Sequence, residues 1–306
     1  MAAKHAVLSA SSSERWLNCP PSARLCEAYE DKGSDYAAEG TDAHALCEFR
    51  LKQALGLPAD DPIENLSWYN EEMEDCAAGY AAYVSELLEV AKQACADPVI
   101  LIEQRVDFSR WVQDGFGTAD CIVIADGELN IVDYKHGKGV EVSAVDNPQM
   151  MLYALGAYHA YGYLYSIKKV SMTIIQPRLE NISTFECSVE ELLDWAETYV
   201  RPRAKLAFEG KGEQVPGDWC RFCRARTSCK ACADEAMALV KEEFLDLDAG
   251  VLEEETEETD ATASFDQDTS VPTFKSPALP SKTDSETMLP NLNRIHSWLD
   301  AIFTYA

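Results

Sequence analysis

Two aspartates lie opposite each other on two segments of the chain that have the apolar pattern of neighbouring β-strands. The Asp126-Gly127 dipeptide between the segments is typical of a hairpin turn, and a hairpin centred there pairs Asp120 with Asp133. Directly opposite residues have Cβ atoms about 5 Å apart, so the two carboxylates repel unless a cation lies between them. Burying both in apolar strands is costly, and Mg²⁺ or Mn²⁺, which favour oxygen ligands, would remove that cost.

A lysine shares the face of the sheet that carries these two acids. Lys135 lies two residues after Asp133 and therefore points to the same side of the strand. Beside a metal ion, such a lysine would orient the attacking water or stabilise the charge that develops during attack. The structural alternative is that Lys135 bridges the two acids in a partly buried salt-bridge cluster, and the spacing fits both interpretations.

The cysteines form a second group with possible chemistry. The chain has 11 cysteines, an odd number that fits poorly with a framework of disulfides. Four of them lie within thirteen residues of the chain: Cys220, Cys223, Cys229 and Cys232. A C-x2-C pair suits either zinc or an iron–sulfur cluster. A compact zinc site made of these four residues would need no remote ligand.

The elements that would position these residues alternate between helix and strand. Apolar periodicity predicts helices over 41–55, with Thr41 as N-cap, and over 70–95, 148–161 and 189–208. Runs rich in Val, Ile and Leu predict strands over 99–108, 117–125, 129–135 and 169–176. The order of helices, three strands, helix, strand and helix predicts a mixed α/β domain with one crossover.

Composition divides the chain and limits the classes of function. The formal net charge is −27, which argues against a protein that coats nucleic acid through its net charge. Residues 241–306 contain 15 acidic against 4 basic residues and predict a disordered acidic tail, separate from a folded domain over 1–240. No stretch reaches the roughly 18 apolar residues of a membrane span, and the first residues lack a signal-peptide core, so we expect a cytoplasmic protein.

The segment that contains the acid pair is similar to a known enzyme superfamily. Residues 117–139, GTADCIVIADGELNIVDYKHGKG, resemble the second and third motifs of the PD-(D/E)xK nucleases, where an acid and an acid-x-Lys lie on adjacent strands. In that pattern Asp120 is the first acid, Asp133 the second acid and Lys135 the lysine. The resemblance spans roughly residues 10 to 235 and does not cover the acidic tail.

Further residues resemble the RecB-like branch of this superfamily. His44, in EGTDAHALCE, matches the first-motif histidine that ligates metal there, although a lone helical histidine is more often a core or capping residue. Gln149 and Tyr153 match the QxxxY motif and share one helix face, from which they would contact the nucleic-acid backbone or support the metal site. Glu103, in the strand before Asp120, is either a further metal ligand or a solvent-facing acid.

The cysteines resemble the iron–sulfur version of the RecB-like nucleases. That version is found in CRISPR-associated RecB-like exonucleases and in AddB-type helicase–nuclease subunits, and the chain also resembles a phage and prophage family of such nucleases. The resemblance implies a [4Fe–4S] cluster held by Cys19, Cys220, Cys223 and Cys229, with Cys232 spare. Such a cluster would staple the N-terminal segment to the end of the nuclease domain.

The resemblance as a whole implies a metal-dependent deoxyribonuclease with exonuclease activity. Its fold would be a restriction-endonuclease-like core, a mixed central sheet flanked by helices, with N-terminal helices and a C-terminal cysteine cluster. Mg²⁺ or Mn²⁺ would be held by His44, Glu103, Asp120 and Asp133, and the catalytic residues would be Asp120, Asp133, Lys135, Gln149 and Tyr153. DNA would be the substrate, in phage or prophage recombination inside a bacterial host cell, with phage recombination or replication proteins as partners. The alternative is a catalytically idle iron–sulfur or zinc protein that binds DNA or a partner.

Overall fold

A computed structural model of the protein describes residues 6–31, 33–238, 296, 299 and 300. The chain divides into two compact units, Met1–Val215 and Pro216–Ala306. The helices of the first unit are α1 (Ser13–Asn18), α2 (Ser22–Leu25), α3 (Asp35–Ala54), α4 (Glu71–Ala94), α5 (Pro148–Tyr161), α6 (Val189–Trp195) and α7 (Arg201–Glu209). Its strands are β1 (Val99–Asp107), β2 (Phe116–Ala125), β3 (Glu128–Tyr134), β4 (Lys169–Gln176) and β5 (Asn181–Ser188).

The strands form one mixed sheet in the order β1-β2-β3-β4-β5. Strands β1, β2 and β3 make an antiparallel meander, β4 runs parallel to β3, and β5 returns antiparallel to β4. A parallel neighbour requires a crossover connection, and α5 provides it between β3 and β4. The predicted mixed α/β class is therefore confirmed.

The predicted hairpin is also confirmed in its turn and its register. The strands on either side leave Asp126-Gly127 as a two-residue turn, and Gly127 has a φ of +81°, a conformation that favours glycine. Cys121 pairs with Val132, which is the register that brings Asp120 opposite Asp133. A slip of one residue would have moved the two acids to different faces of the sheet.

Both faces of the sheet are covered by helices. Ile122 and Ile124 of β2 belong to a core that includes α5, whereas their neighbours Cys121 and Val123 belong to a core that includes α3 and α4. This division follows from the alternation of side chains along a strand. It explains why both β2 and β3 are almost wholly apolar, and why their acidic residues are conspicuous.

The observed elements differ from the sequence-based prediction in three places. Helix α3 begins at Asp35, six residues before the predicted start at residue 41, because the side chain of Ser34 accepts a hydrogen bond from the Ala37 amide and caps the helix. Strand β5 was not predicted, because it is an edge strand with alternating polar residues and little apolar content. The predicted single helix over 189–208 is α6 and α7 joined by a π-helical turn at Ala196–Val200.

The predicted acidic tail, 241–306, lies outside the described residues except for 296, 299 and 300. The boundary proposed at residue 240 therefore stays a prediction. Among the helices that the structure describes, none combines the length and the apolar composition needed to cross a membrane.

Candidate functional site

Three of the predicted metal ligands meet at one point of the first unit. His44 comes from the middle of α3, Glu103 from β1 and Asp120 from β2. One ligand atom of each lies within 4.8 Å of the ligand atoms of the other two. An imidazole nitrogen with carboxylate oxygens is a donor set that fits a divalent ion such as Mn²⁺. We call these three residues the acidic group.

The backbone at Glu103 is strained. Strands β1 and β2 keep one pairing register on both sides, at Ile102 and at Gln104, but the ladder skips Glu103, whose φ is +50°. A residue with a side chain rarely adopts this left-handed conformation, and such strain is often found at functional sites. The distortion lies directly beside Asp120 in β2. Nothing in the sequence indicates it, because glutamate is not a residue that favours a positive φ.

A second set of predicted residues forms a connected group beside the first. Lys135 Nζ lies 2.8 Å from Asp133 Oδ2 and donates to Gln149 Oε1 at 3.1 Å. The amide nitrogen of Gln149 donates in turn to Asp133 Oδ1 at 3.0 Å and contacts the hydroxyl of Tyr153 at 3.1 Å. The QxxxY residues therefore support the acid–lysine pair directly. We call these four residues the lysine group.

Gln149 is held in place by the start of α5. The side chain of Asn147 caps this helix by accepting hydrogen bonds from the amides of Gln149 and Met150, and Pro148 occupies the first turn. Gln149 thus lies at the rigid first turn of a helix. The Asn-Pro pair before Gln149 was a readable signal for this start.

Asp120 connects the acidic group with the lysine group. Its Oδ1 is 3.3 Å from His44 Nδ1, and its Oδ2 accepts a hydrogen bond of 2.7 Å from the backbone amide of Tyr134. Tyr134 stands between Asp133 and Lys135 in β3, so Asp120 is tied to the strand of the lysine group. Asp133, the fourth predicted metal ligand, is not part of the close three-residue set.

The pKa values of the acidic group show how its charges interact. Burial raises the pKa of Glu103 to about 7, and the nearby charge of Asp120 acts in the same direction. Burial alone would lower the pKa of His44, but the contact with Asp120 outweighs burial and raises the pKa to about 9. Burial also acts to raise the pKa of Asp120, yet the contacts with His44 hold it below its usual value.

In the lysine group, burial outweighs the effect of the nearby positive charge on the pKa of the carboxylate, unlike at Asp120. Burial raises the pKa of Asp133, and the charge of Lys135 only partly opposes this effect. For Lys135, burial acts to lower the pKa, but its contact with Asp133 outweighs burial and the pKa rises. Asp133 is 1% exposed, so its charge depends on these close partners.

Two residues of this region were not singled out from the sequence. Tyr134 packs edge-on against the His44 ring, with centroids 5.6 Å apart, and its hydroxyl is 2.8 Å from Nδ1 of His136. Gly117 lies where a Cβ atom would come within 2.7 Å of the Tyr153 ring, so only glycine fits without displacing that ring. A glycine inside a strand is a signal of close approach that could have identified it.

The second unit contains the four clustered cysteines. The thiols of Cys220 and Cys232 interact with each other, and this interaction raises the pKa of Cys220 and lowers that of Cys232. Cys229 directly precedes the helix over 230–238 and Cys232 lies in its first turn. Cys232, spare in the iron–sulfur prediction, is thus in contact with a predicted ligand. All eleven cysteines are in the described part of the chain, and none forms a disulfide.

Comparison with known proteins identifies the family of the chain. A solved structure titled "Crystal structure of SSO0001" is similar at 17% identity, over 61% of this chain and 94% of that chain, with a TM-score of 0.26. A TM-score this low carries no conclusion about fold. A family model described as "Protein of unknown function (DUF2800)" matches residues 5–306. Since that match covers nearly the whole sequence, the chain belongs to the DUF2800 family.

Proposed function

We propose that this protein is a metal-dependent deoxyribonuclease of the RecB-like PD-(D/E)xK type. The observation that carries the proposal is the meeting of His44, Glu103 and Asp120 beside the pair of Asp133 and Lys135. These residues come from separate parts of the sequence. The resemblance names His44, Asp120, Asp133 and Lys135, and Glu103 is the acid of the preceding strand. The mixed sheet with helices on both faces fits the restriction-endonuclease-like core that we propose for the first unit.

The residues of the acidic group fit a divalent ion. Glu103 is partly buried beside Asp120, and a pair of carboxylates shielded from solvent in this way is stabilised by a cation. We propose that His44, Glu103 and Asp120 hold Mg²⁺ or Mn²⁺, and that Asp133 joins them at the edge of the site. When bound, such an ion lowers the pKa of water and neutralises charge on a phosphate.

The lysine group would position the attacking water. Lys135 carries the positive charge next to Asp133 and can hold a water or stabilise the negative charge that develops on the scissile phosphate. Gln149 contacts both residues at once and fixes the distance between them. Tyr153 holds the amide of Gln149. Hydrolysis would proceed in line, with no covalent intermediate on the protein.

The other parts of the proposal come from the resemblance alone. They are exonuclease mode, a place in phage or prophage DNA recombination with its partner proteins, and location in the bacterial cytoplasm. The [4Fe–4S] cluster stays a prediction from the sequence, because Cys19 belongs to the first unit and Cys220, Cys223 and Cys229 to the second. Zinc at the four clustered cysteines is the alternative, and iron and zinc analysis of the anaerobically purified protein separates the two.

A nuclease assay tests the proposed activity. Linear and circular DNA, single- and double-stranded, would be incubated with Mn²⁺ or Mg²⁺ and the full-length protein. We expect metal-dependent cutting that falls about a hundredfold or more in Asp133→Ala and in Lys135→Ala. Lys138→Ala is the matched control, because Lys138 is 60% exposed and three residues further along the chain, and it should cut normally.

Two results would contradict the nuclease. Full activity in folded Asp133→Ala and Lys135→Ala would refute the assigned site. No cutting by folded wild-type protein with any substrate or ion would refute the activity and favour the idle DNA-binding alternative. The contrast between linear and circular DNA would separate exonuclease from endonuclease action.

A further inference from the structure

A tyrosine outside every predicted motif lines the same cleft as the acidic group. Tyr80 lies in α4, and together with His44, Glu103 and Asp120 it forms the wall of a small cleft between α3, α4 and the sheet. The residue is 2% exposed, so its hydroxyl cannot be satisfied by bulk solvent. Tyr80 lies on α4, whereas His44 lies on α3, so no local sequence pattern connects Tyr80 with the site.

The Tyr80 hydroxyl has no hydrogen-bond partner among the described residues. Buried hydroxyl groups almost always have a partner, because leaving one unsatisfied costs about 1 to 3 kcal/mol. Its ring makes good contacts without the hydroxyl. The ring packs edge-on against Tyr134, with centroids 5.6 Å apart, within the core that α3 and α4 form on the sheet. Phenylalanine would fill the same space, so packing does not explain the hydroxyl.

Three carboxylates line this cleft, and since Glu48 is paired with Lys52, the other two, which belong to the acidic group, are the available acceptors. These two are Glu103 and Asp120, which lie there beside His44. An ion at the site would fix the orientation of both side chains, and it would hold them charged. A charged carboxylate is a stronger acceptor than a neutral one.

We propose that Tyr80 is a positioning residue of the metal site, whose hydroxyl donates a hydrogen bond to the carboxylates of the acidic group in the ion-loaded protein. The inference rests on the proposed metal site and extends it to a residue that the resemblance does not name. Outer hydrogen bonds of this kind orient ligands and commonly change metal affinity by tenfold or more. Tyr80 would therefore contribute to ion binding and nothing to the stability of the ion-free protein.

The test is Tyr80→Phe in the full-length protein, with Tyr83→Phe as the matched control. Tyr83 is on the same helix and partly buried, but it does not line the cleft. Mn²⁺ binding is measured by titration calorimetry, and Tm is measured in EDTA. We expect Tyr80→Phe to bind Mn²⁺ about tenfold more weakly, while its ion-free Tm is unchanged or higher. Tyr83→Phe should match wild type in Mn²⁺ affinity.

The outcomes separate this inference from the proposed function. Wild-type affinity in Tyr80→Phe overturns the role of Tyr80 and leaves the metal site intact. A lower ion-free Tm in Tyr80→Phe also overturns it, because the hydroxyl would then have a partner without the ion. No Mn²⁺ binding by wild-type protein overturns the metal site itself, and with it the role of Tyr80.

Discussion

The acidic group and the lysine group lie side by side but balance their charges differently. In the lysine group the side chains contact one another: Asp133 is paired with Lys135 through Oδ2 and hydrogen-bonded to Gln149 through Oδ1, and Gln149 is hydrogen-bonded to Tyr153. In the acidic group, His44 is the cationic partner that contacts Asp120 among the described residues, and Glu103 is partly buried with a raised pKa. The lysine group pairs its one carboxylate with one cation, although burial still raises the pKa of Asp133, whereas the acidic group holds two carboxylates against one histidine.

This difference assigns the two groups different tasks. The contacts within the lysine group keep its geometry in the absence of ligand, which suits residues that must orient a reactant. An undercompensated cluster gains the most from a cation, which suits residues that must bind one. The strained backbone at Glu103 belongs to the ion-binding side, where the cost of the conformation can be offset by the bound ion.

The largest expected effect is on Mn²⁺ affinity, which a substitution in the acidic group should lower more than a substitution in the lysine group. We expect Asp120→Asn to weaken Mn²⁺ binding by about a hundredfold, because Asp120 is in the close ligand set and also orients His44. Asp133→Asn should weaken binding by about tenfold or less. Titration calorimetry on both variants measures this ratio. Equal losses would show that the two groups bind the ion as one unit and would remove the distinction.

A smaller effect concerns the stability of the lysine group. Lys135→Met keeps most of the side chain's volume but leaves Asp133, with 1% exposure, without its cation. We expect the free energy of unfolding to fall by about 2 kcal/mol at neutral pH, since a buried charge that loses its partner is strongly destabilising. Lys138→Met, at an exposed position, should change it by less than about 0.5 kcal/mol. Urea unfolding in EDTA measures the free energy of unfolding of both variants. Equal losses in Lys135→Met and Lys138→Met would contradict the stabilising role of the Lys135–Asp133 pair.

The comparison also explains how much of the site could be predicted from the sequence. The β2–β3 hairpin was predictable in turn and register, because Asp126-Gly127 fixes a two-residue loop and the loop fixes the pairing. Asp133 and Lys135 were predictable for the same reason, whereas Gln149 and Tyr153, which lie one helical turn apart, were indicated by the resemblance. Local rules were sufficient wherever the contacts are close in sequence.

Long-range features of the site were not predictable in this way. The contact between Tyr80 and the cleft depends on how α4 packs on the sheet, and the left-handed backbone at Glu103 contradicts the local preference of its residue type. The edge strand β5 was missed because half of its residues face solvent and carry polar side chains. Each of these features is set by tertiary packing, which overrides the local pattern.

The smallest expected effect is a pH dependence of stability that Glu103 and His44 of the acidic group produce. In the ion-free protein the pKa of Glu103 is raised from 4.5 to about 7 by burial, and by the nearby charge of Asp120. Between these values the folded state binds more protons than the unfolded chain, so stability falls as pH rises through this window. The corresponding window for His44, whose pKa rises from 6.5 to about 9, lies higher.

Glu103→Gln should remove the pH dependence of stability in the lower pH range and leave that in the higher range. In EDTA, we expect the Tm of wild-type protein to fall by about 2 to 4 °C between pH 4.5 and 7 because of Glu103, which corresponds to about 1 kcal/mol. In the variant, the fall of Tm between pH 4.5 and 7 should disappear. The fall of Tm between pH 6.5 and 9 should remain, because there His44 loses the proton that its contact with Asp120 stabilises. Glu48→Gln is the matched control, because Glu48 lines the same cleft but is paired with Lys52. An unchanged slope in Glu103→Gln would mean that Glu103 is already compensated, and the acidic group would then have no excess charge for an ion to neutralise.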